Sequence, residues 1–289
     1  MPELPEVEIA RRNLDKWLRR GRIVRVELSP RLFVARRGAG NARAFAAAMR
    51  GRTVRAVERR GKWLRLVLDG DLALFSHLGM TGKWVLRAHD APPERFERGR
   101  IDTQKRSVRY VDPRLFGTLH GARGDAAPSA WSTLGPDALV DGVDAERLGA
   151  RLSRISRSIK EALLDQTIVA GVGNIQAAEA LWRAKINQMR AASSLAPREL
   201  AALARAIEGS IRDTLARDDS DEITYVEEAG ADNPFDVYGK HGEPCPRCRM
   251  KLQRIIQGGR STVFCPRCQS LRQPRSSPRQ PRRAARRAT

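Results

Sequence analysis

The four cysteines of the chain have the spacing of a structural zinc site. They form two Cys-Pro-Arg-Cys pairs separated by 16 residues, Cys245 with Cys248 and Cys265 with Cys268. Two such pairs on a hairpin supply four thiolates to a tetrahedral ion and leave no open position for a water molecule. We therefore predict one Zn²⁺ with a structural and not a catalytic role, in a compartment that keeps thiols reduced.

Pro2 and Glu3 are the second set of residues whose types point to chemistry. Removal of Met1 leaves Pro2 with a free secondary amine. Such an amine can attack an aldehyde-like carbon and form an iminium, which is an electron sink for elimination. Its neighbour Glu3 has the chemistry of a general acid. By themselves these residues favour an ordinary N-terminus, because many chains begin with Met-Pro-Glu.

A short glycine-rich segment lies between the two cysteine pairs, with the sequence Gly258-Gly259-Arg260-Ser261-Thr262. Glycines at a hairpin tip allow the backbone to approach a phosphate closely, and the guanidinium of Arg260 can make a bidentate contact with that phosphate. For this segment alone, an ordinary hairpin turn is the better interpretation.

The charge of the chain indicates a polyanionic partner. Lys and Arg number 54 against 33 Asp and Glu, which gives +21, and without the seven Arg of residues 271–289 the charge is still +14. This field favours nucleic acid over a small metabolite, and a merely soluble basic protein is the alternative. No run approaches the roughly 18 apolar residues of a membrane span, and the acidic opening lacks the apolar region of a signal peptide.

The first part of the sequence predicts β-structure behind an N-terminal helix. Residues 4–18 repeat apolar side chains with the period of a helix, which Gly21 ends. Short runs of alternating apolar and polar residues follow between positions 23 and 111, separated by Gly and Asp turns. Their spacing predicts an antiparallel β-sandwich, which a helical stretch at 41–49 interrupts.

The remaining sequence has a helical period and then a small cysteine-rich module. A capping-box pattern from Ser158 to Glu161 begins one helix, and the Gly-Val-Gly-Asn segment at 171–174 ends it. The predicted fold is therefore multidomain α+β. Its expected parts are a catalytic β-sandwich domain at 1–121, a helical domain at 130–216, an acidic loop at 217–236, a zinc-finger hairpin at 237–270 and a disordered basic tail at 271–289.

Ordered motifs along the chain resemble those of a known family. They are the opening at 1–8, Arg-Gly-Lys at 60–62, His-Leu-Gly-Met-Thr-Gly at 77–82, Tyr-Val-Asp-Pro-Arg-Leu-Phe-Gly at 110–117, Leu-Gly-Pro-Asp at 134–137, the segment 159–175, and the cysteine module with its Gly-Arg-Ser-Thr tip. Together they resemble the formamidopyrimidine-DNA glycosylase and endonuclease VIII family. The Leu-Pro-Glu-Val opening is similar to the formamidopyrimidine branch, and the segment 159–175 resembles a helix–two-turn–helix motif.

The resemblance implies a bifunctional DNA glycosylase and AP lyase of base excision repair. Pro2 matches the Schiff-base nucleophile that attacks C1′ of an oxidised purine nucleotide (8-oxoguanine or a formamidopyrimidine), after which β- and δ-elimination cut the strand. Glu3 matches the proton donor, Lys62 the donor of β-elimination, and Arg260 a phosphate-binding arginine with a donor role in δ-elimination. The implied partner is double-stranded DNA with oxidised bases or abasic sites. The implied state is a monomer in the bacterial cytoplasm, at the nucleoid.

The resemblance also implies how DNA is held once the lesion base has left the stack. Met80, Arg114 and Phe116 match residues that fill the vacated space, although Met80 and Phe116 taken alone would more often be core residues. Asn174 lies at a predicted helix N-terminus, which favours a phosphate. Backbone contacts are also predicted, with a solvated helix face as an equal alternative, for Arg154, Arg157 and Lys160.

Four departures from the family pattern bear on specificity. Leu115 stands where a second Arg is usual, Gln176 replaces a usual Tyr, and Arg95 occupies the place of a DNA-contacting His. The acidic segment 218–236 does not resemble the usual lesion-capping loop, which leaves a preference for oxidised pyrimidines open. A DNA-binding protein without catalysis and a zinc-ribbon RNA-binding protein are two further hypotheses. The RNA-binding hypothesis leaves the first 120 residues unexplained.

Overall fold

The computed structural model of the chain describes residues 2–36, 38–217 and 220–271. The predicted basic tail, apart from Leu271, lies outside these residues. The elements follow one another as a helix, nine strands with one inserted helix, a series of helices, and a final hairpin. Within the described part of the chain, no helix combines the length and apolar character that a membrane crossing needs. The predicted multidomain α+β class is confirmed.

Helix α1 (Leu4–Leu18) begins the N-terminal β-domain and has the bounds predicted from the sequence. Its N-terminus is closed by a capping box, in which the Glu3 backbone N–H donates to Glu6 Oε2 at 2.8 Å. This bond satisfies a backbone donor that would otherwise have no partner. Pro5 fits the first turn because the backbone N–H that proline lacks would have no acceptor within the helix at that position. The apolar face of the helix, including the fully buried Leu14, packs into the β-domain core.

Two sheets form the rest of the β-domain. The elements are β1 (Ile23–Leu28), β2 (Phe33–Ala35), α2 (Ala42–Met49), β3 (Val54–Arg60), β4 (Trp63–Leu68), β5 (Leu72–His77), β6 (Lys83–Arg87), β7 (Glu97–Thr103), β8 (Ser107–Val111) and β9 (Thr118–Arg123). The strand orders of the two sheets are β1-β7-β8-β6 and β2-β9-β5-β4-β3, and all neighbours are antiparallel except β2 and β9. Both sheets and α1 contribute to one apolar cluster.

A second apolar cluster lies among the helices that follow. Ser158 begins one of them as predicted, because its Oγ accepts the Glu161 backbone N–H at 3.3 Å. The predicted end of this helix at 171–174 is wrong, since the helix ends at Leu163. Leu4 belongs to this second cluster, and its backbone N–H donates to Gly171 O at 3.1 Å, so the start of α1 is fixed against the helical domain. The helices are α3 (Ser129–Ser132), α4 (Ala145–Leu152), α5 (Ile159–Leu163), α6 (Asn174–Arg183) and α7 (Pro197–Arg217), with a 3-10 turn at Ala192–Ser194.

The cysteine module contains an antiparallel hairpin whose strands are β10 (Gln253–Gln257) and β11 (Arg260–Phe264). Gly258 and Gly259 alone form the turn, with φ angles of 56° and 71° that glycine adopts without strain. Val263 of this module packs with Trp182 of α6 in a third apolar cluster. The hairpin tip is thereby held beside the helical domain.

A buried ion cluster joins the β-domain to the helical domain. Arg59 of β3 donates to Asp137 at 2.6 and 3.0 Å and to Glu8 of α1 at 3.0 Å. Asp137 also accepts the Gly61 backbone N–H at 2.7 Å, and Arg59 donates to Gly61 O at 3.0 Å. Burial acts to raise the pKa of Asp137, but the Arg59 guanidinium and the backbone N–H groups of Gly61 and Val140 together lower it. The backbone of Gly61, which precedes Lys62, is therefore hydrogen-bonded to a side chain of each domain.

Candidate active site

Glu3 is held at the N-terminus of helix α6. Its side chain is fully buried, and its carboxylate accepts the backbone N–H groups of Gly173 at 3.0 Å, Ile175 at 2.7 Å and Gln176 at 3.0 Å. A helix N-terminus offers free N–H groups and a positive dipole end, both of which favour a carboxylate. Pro2, which is also buried, precedes it directly. The first two residues of the predicted site therefore lie at the junction of the two domains.

Lys62 reaches the same point from the β-domain. An ideal Cβ on Gly173 would lie 2.5 Å from Lys62 Nζ and 2.4 Å from Glu3 Oε1, so both side chains occupy the space that the missing side chain leaves. Burial lowers the pKa of Lys62, and Arg260 acts in the same direction, while Glu3 and Glu6 oppose them. The structure thus brings together the Glu3 and Lys62 side chains that the sequence analysis selected.

Three further side chains converge where α5 and α6 meet the hairpin tip. Lys160 Nζ donates to Thr262 Oγ1 at 2.8 Å, and Asn174 Nδ2 donates to Ser261 O at 3.0 Å. Lys160 is fully buried, so the solvated helix face considered for it is wrong. Burial lowers its pKa to about 8. Arg260 stays exposed on the hairpin, close enough to contribute to this shift.

A cavity of about 270 Å³ opens beside Glu6, which the sequence analysis did not select. This volume is close to the lower limit of ordinary small-molecule sites, about 300 Å³. Burial and the neighbouring Glu3 raise the pKa of Glu6 to about 7. Its capping-box spacing three residues after Glu3 was the signal that could have found it. The cavity is lined by Glu6, Ile9, Ile175, Thr214, Arg217, Thr224, Tyr225, Val226, Asp232, Pro234 and Phe235.

Met80 and Phe116 are not core residues, because 37% and 53% of their surfaces are exposed. The Arg114 guanidinium lies 4.9 Å from the centre of the Phe116 ring. The turns that carry these residues meet at the fully buried Asp112. Its carboxylate accepts one hydrogen bond from the Thr81 hydroxyl at 2.9 Å and another from the backbone N–H of Arg114 at 3.2 Å. The three predicted void-filling side chains therefore project from one connected surface.

Two of the departures from the family pattern have structural roles. Gln176 is fully buried and joins α6 to α7. Its side-chain oxygen accepts a hydrogen bond from the Ser210 hydroxyl at 2.6 Å, and its side-chain nitrogen donates one to Thr214 Oγ1 at 3.1 Å. Leu115, with a φ of 57°, packs against the β-domain core. Neither side chain presents a charge toward a ligand.

The remaining predicted DNA contacts lie apart from this cluster. Arg95 stacks on Phe96, with the guanidinium 4.7 Å from the ring centre. Arg157 is exposed and forms an ion pair with Asp165, and Arg154 is exposed near it. Among the described residues, no hydrogen bond or ion pair connects any of the three arginines to Glu3 or Lys62.

The four cysteines come together as predicted. Their Sγ atoms all lie within 4.8 Å of one another, with separations of 3.4 Å for Cys248–Cys265 and 4.0 Å for Cys245–Cys268. A tetrahedral ion with Zn–S bonds of about 2.3 Å requires S–S separations of about 3.8 Å, which these values bracket. The cluster therefore fits one structural Zn²⁺. Trp182 Nε1 donates to Cys245 Sγ at 3.4 Å and so connects the metal site to α6.

The position of Lys160 predicts a pH-dependent contribution to DNA binding. Its positive charge is present below its pKa of about 8 and is lost above it. We expect Lys160→Met to weaken DNA binding about tenfold at pH 7, the scale of a lost charge-assisted hydrogen bond, and far less at pH 9. Fluorescence-anisotropy titrations at both pH values measure this, with the exposed Lys105→Met as the control. Equal losses at both pH values would contradict the assignment.

Three family models match the chain in order. They are the formamidopyrimidine-DNA glycosylase N-terminal domain over residues 1–119, the formamidopyrimidine-DNA glycosylase H2TH domain over 134–225, and a zinc finger found in FPG and IleRS over 242–271. The formamidopyrimidine-DNA glycosylase of Herpetosiphon aurantiacus is 38% identical over 283 residues, covering 93% of this chain and all of that protein. The enzyme of Geobacillus kaustophilus is 39% identical over 278 residues, with the same coverage.

Solved structures agree with the family models. The Lactococcus lactis enzyme non-covalently bound to DNA containing an AP site matches with a TM-score of 0.82 and 32% identity, over 93% of this chain and all of that one. MutM in complex with DNA containing carbocyclic 8-oxo-G matches with a TM-score of 0.82, 31% identity and the same coverage. The chain belongs to the formamidopyrimidine-DNA glycosylase family.

Proposed function

We propose that this protein excises oxidised purines from double-stranded DNA and then cleaves the abasic strand. The observation that carries the proposal is the meeting of Glu3 and Lys62 at Gly173, with Glu3 directly following the buried Pro2 in the chain. A protein that only binds DNA has no need of these three groups in one place, which argues against the non-catalytic alternative. The solved relatives in complexes with DNA containing an AP site or 8-oxo-G support the substrate class.

The chemistry follows from the groups at the site. The Pro2 amine attacks C1′ and gives up its proton, the bond from C1′ to the base breaks, and the departing base takes up a proton. The C1′–O4′ bond then breaks, O4′ takes up a proton, and the opened sugar is left as an iminium at C1′. The resulting iminium makes the C2′ proton acidic, so its loss expels the 3′ phosphate, and a second elimination expels the 5′ phosphate. We assign Glu3 to proton transfer at the sugar: its carboxylate takes up the proton that the amine gives up and delivers it to O4′. Because burial lowers the pKa of Lys62, this amine exchanges protons closer to neutral pH than an exposed lysine does, which suits it to the elimination steps.

The remaining residues would hold the DNA around that chemistry. We assign Arg260, Asn174 and Lys160 to phosphate binding, because they meet at the hairpin tip that the zinc site positions. We assign Met80, Arg114 and Phe116 to the space that the extruded base vacates. Weaker backbone contacts are proposed for Arg95, Arg154 and Arg157. Around these sites we retain the domain boundaries predicted from the sequence and propose a monomer that works at the bacterial nucleoid in the cytoplasm.

Single-turnover excision on matched duplexes tests the proposed function. Arg114 carries only hydrogen-bond donors, which suit the O2 and N3 acceptors of cytosine, whereas adenine also presents a donor. We therefore expect 8-oxoguanine or a formamidopyrimidine opposite C to be excised faster than 8-oxoguanine opposite A, and faster than thymine glycol.

Oxidised pyrimidines are the second candidate substrate. A Lactococcus lactis relative with a TM-score of 0.83 and 32% identity was solved in complex with DNA containing an oxidised pyrimidine. Residues between 224 and 235, part of the unusual acidic segment, line the cavity here. Faster removal of thymine glycol, or indifference to C and A opposite 8-oxoguanine, would favour this candidate and contradict the role of Arg114.

A further inference from the structure

Residues 220–228, called the strap here, cross from the helical domain to the β-domain. The strap follows helix α7, yet two of its apolar residues belong to the β-domain core. Ile223 and Tyr225 are each only 4% exposed. This segment is part of the acidic stretch that does not resemble the family's usual loop.

The acidic residues of the strap pair with cations of the β-domain. Asp221 lies 2.9 Å from Lys16 Nζ, and Glu222 lies 3.0 Å from Arg87 Nη1 and 3.5 Å from Lys83 Nζ. Asn13 Nδ2 of α1 also donates to the strap backbone, at 3.0 Å from Ser220 O. The acidic composition of this segment is therefore matched to the basic surface beneath it.

Tyr225 connects the strap to two functional parts of the protein. Its hydroxyl donates to Gly82 O at 2.7 Å, and burial raises its pKa well above the usual value, so the hydroxyl remains a donor. Gly82 closes the turn that carries Met80, since its N–H donates to Leu78 O at 2.9 Å. The Tyr225 side chain also lines the cavity beside Glu6.

The Met80 turn in turn supports the residue assigned to the opposite base. Thr81 Oγ1 donates to Asp112, which also accepts the Arg114 backbone N–H. A Cβ on Gly79 would lie 2.4 Å from the carbonyl carbon of Phe116, so the two turns are in direct backbone contact. The Met80 turn and the backbone at Arg114 are therefore held in place by a shared set of contacts.

We propose that Tyr225 is a positioning residue that sets the opposite-base selectivity of the enzyme. This inference rests on the proposed function. We assign the extruded base to the cavity beside Glu6, because its lining residue Ile175 donates to Glu3 of the candidate active site. Tyr225 lines this cavity and also holds the turn that enters the vacated space. The seating of a base in the cavity is thereby coupled to the positions of Met80 and Arg114.

Tyr225→Phe tests the coupling because it removes the hydroxyl and keeps the ring. Single-turnover excision of 8-oxoguanine opposite C and opposite A is measured beside cleavage of a preformed AP site. We expect the C-to-A ratio of excision rates to fall about three- to tenfold, the range of one buried hydrogen bond, with AP-site cleavage within about twofold of wild type. Lys16→Gln breaks only an exposed ion pair of the strap and should leave the ratio unchanged.

A double-mutant cycle distinguishes positioning from a general structural role. In an Arg114→Ala background, Tyr225→Phe should cause no further change in the ratio, because the side chain that reads the opposite base is absent. Equal losses on all three substrates, or full additivity with Arg114→Ala, would overturn the inference. Wild-type excision of 8-oxoguanine tests the proposed function separately. If the wild type removes a different lesion, the C-to-A ratio of excision rates is measured with that lesion.

Discussion

A protein that carries one extra residue before Pro2 is expected to lose base excision and strand cleavage while it retains DNA binding. The added peptide bond converts the secondary amine into an amide, whose nitrogen cannot attack C1′. We expect a loss of roughly 10³-fold or more in the single-turnover rate, the order seen when a catalytic nucleophile is removed. Because the contacts assigned to the DNA backbone remain in place, affinity for an uncleavable abasic analogue should change by no more than about threefold.

Borohydride trapping identifies the nucleophile directly. The processed protein should form a covalent adduct with abasic DNA, and peptide mapping should place the adduct at Pro2. Pro2→Gly is the informative control, since it retains a terminal amine and should still be trapped, although more slowly. A full-strength adduct with the blocked terminus would assign the nucleophile to another amine, with the buried Lys62 as the first one to examine.

Those features that local sequence determines were predictable. The apolar period of residues 4–18 defined helix α1, because one face of it is buried along its whole length. The Cys-x-x-Cys pairs indicated a four-ligand site, since each pair is local and the hairpin between them is short. Pro2, Glu3 and Lys62 were found through motifs and not through local physics, because nothing within residues 1–62 shows that the Glu3 carboxylate binds the backbone N–H groups at 173–176.

The features that the sequence analysis missed depend on contacts between distant segments. Lys160 is followed by an ordinary helical sequence, and only its bond to Thr262, 102 residues away, shows that it is buried. Glu6 falls within the helix predicted at 4–18, yet the cavity beside it is completed by Thr214, Arg217 and residues between 224 and 235. Tyr225 lies in a stretch that composition marked as an acidic loop. Its burial follows from a β-domain surface that the sequence does not specify locally.

Gly173→Ala is expected to be among the most damaging single substitutions outside the catalytic residues. The backbone of Gly173, with φ −126° and ψ −158°, suits alanine, so the effect comes from space and not from strain. The added Cβ would lie 2.3 Å from Glu3 Cδ and 2.5 Å from Lys62 Nζ, which forces both groups to move. A displacement of about 1 Å at reacting groups can cost about 100-fold in rate. We expect base excision and AP-site cleavage each to fall by about that factor.

Gly209→Ala provides the matched control for this experiment. Gly209 lies inside helix α7, and the nearest atom to its added Cβ is Arg183 Nη1 at 3.8 Å, so alanine fits there. This variant should keep wild-type rates and gain about 0.5–1 kcal/mol in stability from helix propensity. Thermal unfolding of both variants separates a loss of fold from a loss of geometry. If Gly173→Ala retained wild-type rates and an unchanged Tm, the close approach of Glu3 and Lys62 at this point would have no role in the reaction.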